Sequence, residues 1–232
     1  GLILAELGLK RTSPVARGIV ETLFASWAAD GRIRPGPGLA VQPCHTANAA
    51  RLLCRMGEAE DPRLVRTFDW LLANQHSDGG WRCSRARLGL SRESDASNPG
   101  VTLAVLDALR FSDTHRHDPR LDRAVDTLLD HWTTRRPLGP CSFGIGSRFM
   151  QVEFPYVRYN LFGYVHVLSF YPRARRSRAF KAAFAALADK RVDGSVVIEH
   201  VRPGLEGLQF CREGQPSRIA TRRFAEIDAN LA

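Results

Sequence analysis

The sequence predicts an all-α protein built from repeated helical hairpins, and three observations carry that expectation. Helix-opening prolines recur at Pro14, Pro62, Pro119 and Pro172, separated by 48, 57 and 53 residues, a period that fits two helices plus their loops. Asp61 and Asp118 stand before two of them as N-caps, with Pro at the first helical position, where a missing N–H costs nothing, and Ser13-Pro14 opens the first copy. Beyond the caps, apolar residues recur at helical spacing: Leu64, Phe68, Leu71 and Leu72 in one copy, Leu121, Val125, Leu128 and Leu129 in another.

The copies run in order. Leu4 to Gly8 leads through a short loop to Ser13-Pro14 and a helix ending near Asp30-Gly31. Leu52 to Gly57 leads to Asp61-Pro62 and a helix ending at Gln75, before Asp78-Gly79-Gly80-Trp81. Leu103 to Leu109 leads to Asp118-Pro119 and a helix reaching about Arg135. The fourth and weakest copy starts at Pro172 and runs through Phe180, Ala183, Phe184 and Leu187 to Asp193-Gly194. Sustained apolar–polar alternation is missing from the sequence, although Ser195 to Glu199 suits a brief strand.

The helices fall into two kinds. Those opening near His45, Asn98, Pro155 and Gln215 follow Pro- or Gly-bearing loops and carry small or polar residues early, whereas those from Ser13, Asp61, Asp118 and Pro172 are plainly amphipathic. That asymmetry suits two concentric layers, an inner ring around a cavity and an outer ring facing water; a single row of stacked hairpins is the alternative.

Composition narrows the class. At 232 residues with 44% hydrophobic residues, the chain has material for one large domain, taken as residues 1–232, with a substantial core. The longest apolar stretch, around Leu161 to Phe170, is broken by Gly163, His166 and Ser169, so no membrane span is expected and the protein reads as soluble. Gly1 to Leu9 lacks an initiator Met and a basic lead-in. It resembles the tail of a helix from a longer chain rather than a secretory signal.

Five widely spaced cysteines without a CxxC argue against a disulfide framework and for the cytoplasm. The net charge of +9 comes mostly from dispersed arginines. The one basic cluster, Arg173, Arg175, Arg176, Arg178 and Lys181, suits a solvated helix face or an anionic partner. With no nucleic-acid motif beside it, nucleic acid is not expected as a partner.

The segment Gln75-His76-Ser77-Asp78-Gly79-Gly80-Trp81 resembles the QW repeat (Gln-x-x-x-Gly-x-Trp) of the squalene-cyclase and prenyltransferase superfamily of α/α toroids. Phe154-Pro155-Tyr156 with Tyr159-Asn160 is similar to inner-helix starts in small members of that group. The resemblance implies a toroid, in which Gln75 ties the end of an outer helix to the following loop and Trp81 covers it. It further implies a central cavity for a hydrophobic isoprenoid-type molecule. The cyclases' Asp-x-Asp-Asp acid motif, the ionisation-type Asp-Asp-x-x-Asp and the prenyltransferase Asp-x-Cys zinc spacing do not occur in this sequence. The resemblance therefore implies a fold and a cavity without a mechanism. Four outer and about five inner helices fall short of a closed six-hairpin ring, so a preceding segment or a partner subunit is expected to complete it.

Candidate chemistry follows. Cys44-His45 opens an inner helix, where a thiolate is favoured. With Cys83 or Cys141 as third ligand the pair resembles the zinc site of lanthionine-forming cyclases, which implies tetrahedral zinc with an open position; an inert buried Cys is the plain alternative. Glu93, Asp95, Glu153 and Glu199 are loop carboxylates suited to acid–base work, Asp95 foremost, or to capping. Tyr156, Tyr159, Tyr164, Phe162 and His166 are candidates for an apolar ligand wall that stabilises cations through ring quadrupoles, or for interhelical packing. Three readings follow: an isoprenoid-binding or -converting protein, a non-catalytic interaction module, and a zinc enzyme using Cys44 and His45.

Overall fold

The computed structural model describes residues 1–34, 42–83, 95–139 and 143–232. Among them the chain is all-α apart from four two-residue strands. The helices are α1 (Leu2–Glu6), α2 (Pro14–Ala25), α3 (Pro43–Arg55), α4 (Pro62–Ala73), α5 (Pro99–Leu109), α6 (Arg120–Thr134), α7 (Leu161–Leu168), α8 (Pro172–Arg175), α9 (Arg178–Ala188) and α10 (Arg218–Leu231). The strands are β1 (Glu153–Phe154), β2 (Arg191–Val192), β3 (Ser195–Val196) and β4 (His200–Val201). None of the described helices is long and apolar enough to cross a membrane. The chain forms two compact units, one of residues 1–128 with 137–143 and one of 129–136 with 144–232.

In the first unit the caps act as their residue types dictate. Ser13 accepts from Val15 N–H at 3.2 Å, Asp61 from Arg63 N–H at 2.9 Å and Asp118 from Arg120 N–H at 2.9 Å. Asp61 and Asp118 also receive the guanidinium of the arginine two residues on, which holds both carboxyls below the usual range. Helix α5 is buried on every side, from Val101 through Leu109. It packs against α3, whose Ala47, Ala50, Leu53 and Cys54 are buried. Helix α4 is amphipathic, burying Leu64, Thr67, Phe68, Leu71 and Leu72.

The repeat is visible as geometry. Gly31 (φ +90°) lies where a Cβ would meet the Arg66 carbonyl oxygen at 2.6 Å, and Gly79 (φ +99°) where it would meet that of Arg123 at 2.8 Å. Arg66 and Arg123 each stand four residues beyond a helix-opening proline, Pro62 and Pro119. Each glycine turn is thus pressed onto the second turn of the following amphipathic helix, which only a residue without Cβ permits. Trp27 anchors the first contact, its indole N–H reaching the Arg63 carbonyl at 3.0 Å. Gln75 anchors the second: its amide donates to the carbonyls of Gly79 and Arg120, the latter at 2.9 Å. Trp81 is fully buried and donates to the Leu71 carbonyl at 2.7 Å.

In the second unit the fully buried α7 begins at Leu161, later than expected from Pro155. The stretch before it is drawn into a parallel pairing, Glu153 with His200 and Phe154 with Val201, and the Phe154–Pro155 peptide is cis. Asn160 then caps α7, accepting from Gly163 N–H at 2.8 Å. The helix expected from Pro172 is split, because the Ser177 hydroxyl accepts from Ala179 N–H and opens α9 afresh. Asp193-Gly194 closes no helix; with φ of 49° and 79° it is the two-residue turn of the β2–β3 hairpin, the geometry that mates with strand twist. Helix α10 buries one face, Ala220, Arg223, Phe224 and Ile227, so it differs from α5 and α7.

Candidate functional site

Cys44 and His45 occupy the second and third positions of α3, whose N-cap Gln42 makes no side-chain capping bond. Cys83 lies just beyond Trp81, and its Sγ stands 3.6 Å from that of Cys44. Both thiols are partly exposed and neither is in a disulfide. The zinc expectation needs at least a third ligand. No group of three or more His, Cys, Asp or Glu among the described residues is placed to hold a metal. Two sulfurs alone do not make a tetrahedral site. Cys141 and Glu93 fall outside the described residues.

Asp95 pairs with the Arg82 guanidinium at 2.8 Å, while Asn98, not Asp95, caps α5 by accepting from Val101 N–H at 3.1 Å. The carboxylate that organises this turn is Asp78, which accepts from Ser97 N–H at 2.7 Å, from the Ser97 hydroxyl and from Gly80 N–H at 3.1 Å, with His76 3.0 Å away. Burial pushes its carboxyl up, but those bonds outweigh burial and leave it below the usual range. Glu199 accepts from Val152 N–H at 2.9 Å and from Lys190 at 2.6 Å. Glu153 is buried, 3.6 Å from Arg158. Asp95, Glu153 and Glu199 each have a basic side chain beside them within their own unit: Arg82 at Asp95, Arg158 at Glu153 and Lys190 at Glu199.

The aromatic candidates gather in the second unit, against one another. Tyr156 lies 4.9 Å from Phe162 and 5.5 Å from Phe154 between ring centroids. Tyr159 and Tyr164 surround Phe149 at 5.0 and 5.8 Å, and Trp132 stacks on Tyr164. Burial pushes the phenols of Tyr159 and Tyr164 up, so both stay protonated well past the ordinary range. The Tyr159 hydroxyl meets His131 Nδ1 at 2.6 Å; His131 Nε2 lies 2.9 Å from the Arg136 carbonyl. A carbonyl only accepts, so Nε2 carries the proton and Nδ1 accepts a hydrogen bond from the tyrosine hydroxyl. His166, 3% exposed, bonds Glu226 at 2.9 Å and packs beside Phe162 and Phe170.

Two clusters escaped the sequence reading. Asp107, in the middle of the otherwise apolar α5, is 1% exposed and receives Arg51 at 3.1 Å, Arg55 at 2.8 Å and Arg110 at 2.9 Å. Burial would raise its carboxyl, but three guanidinium groups overwhelm that and hold it well below the usual range. The available signals were an aspartate in an apolar helix and arginines four apart on α3. The second cluster is a serine–histidine–aspartate line: Ser112 Oγ lies 3.0 Å from His115 Nδ1, and His115 Nε2 2.9 Å from Asp69. Ser112 is 0% exposed and also accepts from His115 N–H, so the line pins a loop to α4 and presents no nucleophile.

An open surface groove of about 380 Å³ in the first unit is lined by Arg11, Thr12, Arg17, Val20, Glu21 and Glu58, none of them a sequence candidate.

No protein-family model matches the chain, and no curated protein matches its sequence. Among solved structures, ent-copalyl diphosphate synthase from Streptomyces platensis is similar over 99% of this chain, with a TM-score of 0.53 and 23% sequence identity. This chain spans 42% of that protein's length. The likeness shows a terpene-cyclase-like fold.

Proposed function

We propose that this chain is a terpene-cyclase-like or prenyltransferase-like protein that holds or converts a hydrophobic isoprenoid-type molecule within an α/α toroid. The observation that carries the reading is the likeness of nearly the whole chain to a solved terpene cyclase. Support comes from the glycine turns seated on successive helices, with Gln75 and Trp81 acting as a QW-type anchor. Each unit has a helix buried on all sides, α5 from Val101 onward in the first and α7 in the second, as an inner helix of such a fold would be. The chain carries no Asp-rich acid motif, so conversion would need an acid other than that motif, whereas holding the molecule would not.

Equilibrium dialysis of the purified chain against a fifteen-carbon prenyl diphosphate tests this. Saturable binding that inorganic diphosphate does not displace is expected; no saturable binding of the prenyl compound overturns the reading.

A further inference from the structure

Cysteine chemistry separates the four described thiols into two classes. Cys54 is buried and its Sγ lies 3.5 Å from the Ala108 carbonyl; Cys211 is buried, its Sγ 3.7 Å from the carbonyls of Leu205 and Leu208. Burial pushes both of these thiols up, and a thiol rather than a thiolate is a poor nucleophile. Cys44 and Cys83 are instead partly exposed, come from two chain segments 39 residues apart, and face each other at 3.6 Å. A disulfide needs its sulfurs at about 2.05 Å, so closure asks for an approach of roughly 1.5 Å. Both side chains are partly exposed, and rotation about χ1 is the motion open to them for that approach.

We propose that Cys44 and Cys83 form a reversible thiol-oxidation site, which a low-molecular-weight disulfide such as oxidised glutathione converts to an intramolecular disulfide. The thiolate of one cysteine attacks a sulfur of the oxidant and expels one glutathione thiolate, leaving a mixed disulfide. The second cysteine, already adjacent, attacks the protein sulfur of that intermediate and expels the other glutathione. Two electrons pass from the cysteines to the oxidant, and the two thiol protons end on the two glutathiones. The product staples the start of α3 to the turn that follows α4. The site is independent of the isoprenoid reading and stands or falls separately from it.

The test uses the full chain, reduced, desalted and exposed to oxidised glutathione, then trapped with an alkylating reagent and analysed by intact mass and peptide mapping. The expected result is a fall from five alkylatable thiols to three, with a Cys44–Cys83 cross-linked peptide and no glutathione retained. Dithiothreitol should restore all five. Closing a loop of this length should also raise the melting midpoint by roughly ten degrees. In Cys44→Ser and Cys83→Ser the surviving partner should instead keep a glutathione adduct, and the midpoint should not rise. Stable glutathione adducts on both cysteines of the unsubstituted chain would overturn the proposal. So would a cross-link between other cysteines or between molecules, or a bound metal that blocks oxidation until chelated.

Discussion

Replacing Asp107 by Asn removes the one carboxylate that three guanidinium groups share inside the first unit. At an effective dielectric of 20, each contact near 3 Å carries a gross attraction of about 5 kcal/mol. Desolvating each of the ions takes back several kcal/mol, so the net worth of the intact cluster is small. The loss on substitution is not small. The amide keeps the shape but takes from Arg51, which is almost fully buried, one of the two carboxylates that act on it, Glu6 being the other, and breaking such a buried pair costs about 3–5 kcal/mol. For a chain of this size that corresponds to a fall in the melting midpoint of roughly 6–20 °C. Urea unfolding monitored by circular dichroism, with exposed Asp113→Asn as control, measures it.

The same carboxyl carries a pH signature. Its folded value is depressed, so its contribution is fully present above the unfolded value near 3.9 and is lost as pH falls through the folded value. Stability of the unsubstituted chain should decline below about pH 4, and Asp107→Asn should flatten that decline. A substitution cost within about 0.5 kcal/mol of the Asp113 control, the range of an ordinary surface change, would refute the reasoning.

Two further predictions concern the turns and the aromatic assembly. Gly31→Ala and Gly79→Ala should cost alike, about 1–2 kcal/mol for the left-handed backbone and about 1–3 kcal/mol more for the clash with Arg66 or Arg123. Gly194→Ala, whose Cβ would meet only the Arg191 guanidinium at 4.0 Å, should cost the backbone term alone; chemical denaturation of the three variants shows whether the first two stand apart. In an absorbance titration, Tyr159 and Tyr164 should resist ionisation beyond the ordinary tyrosine value of 10.0. Because their folded values are raised, the stability they contribute is complete below about pH 10 and is lost as pH rises above it; all four tyrosines titrating together near 10 in the folded chain would contradict the packing.

Local chemistry was legible in the sequence. Asp61 and Asp118 cap where they stand, because a cap and the proline after it depend on only three or four consecutive residues. The Asn98 opening placed the start of α5, but its burial from Val101 through Leu109 is a finding of the structure. Long-range pairing was not legible. Helix α7 starts at Leu161 because β1 pairs with a segment 47 residues away, and no local pattern reveals that partner. Asp193-Gly194 looked like a further copy of the helix-end turn, but φ above zero at both residues serves a hairpin equally well.

The site divides in the same way. Cys44 and Cys83 were singled out together and do lie together, whereas Asp95 turned out to be held by Arg82. His166 is held by Glu226 from α10, 60 residues on, a bond that helical spacing around His166 could not foretell. Trp27 went unremarked because it lacks the glutamine that makes the later turn recognisable, although its indole grips the next helix as Gln75 does.

The central claim, that the fold holds an isoprenoid chain, is tested most directly by the affinity of the purified protein for prenyl diphosphates of five, ten, fifteen and twenty carbons. Each five-carbon unit buried in an apolar site should add on the order of 2–4 kcal/mol, so affinity should rise at least tenfold per unit until the site is full. An affinity that does not change with chain length and is matched by inorganic diphosphate would contradict the account, because the arginines alone would then explain the binding.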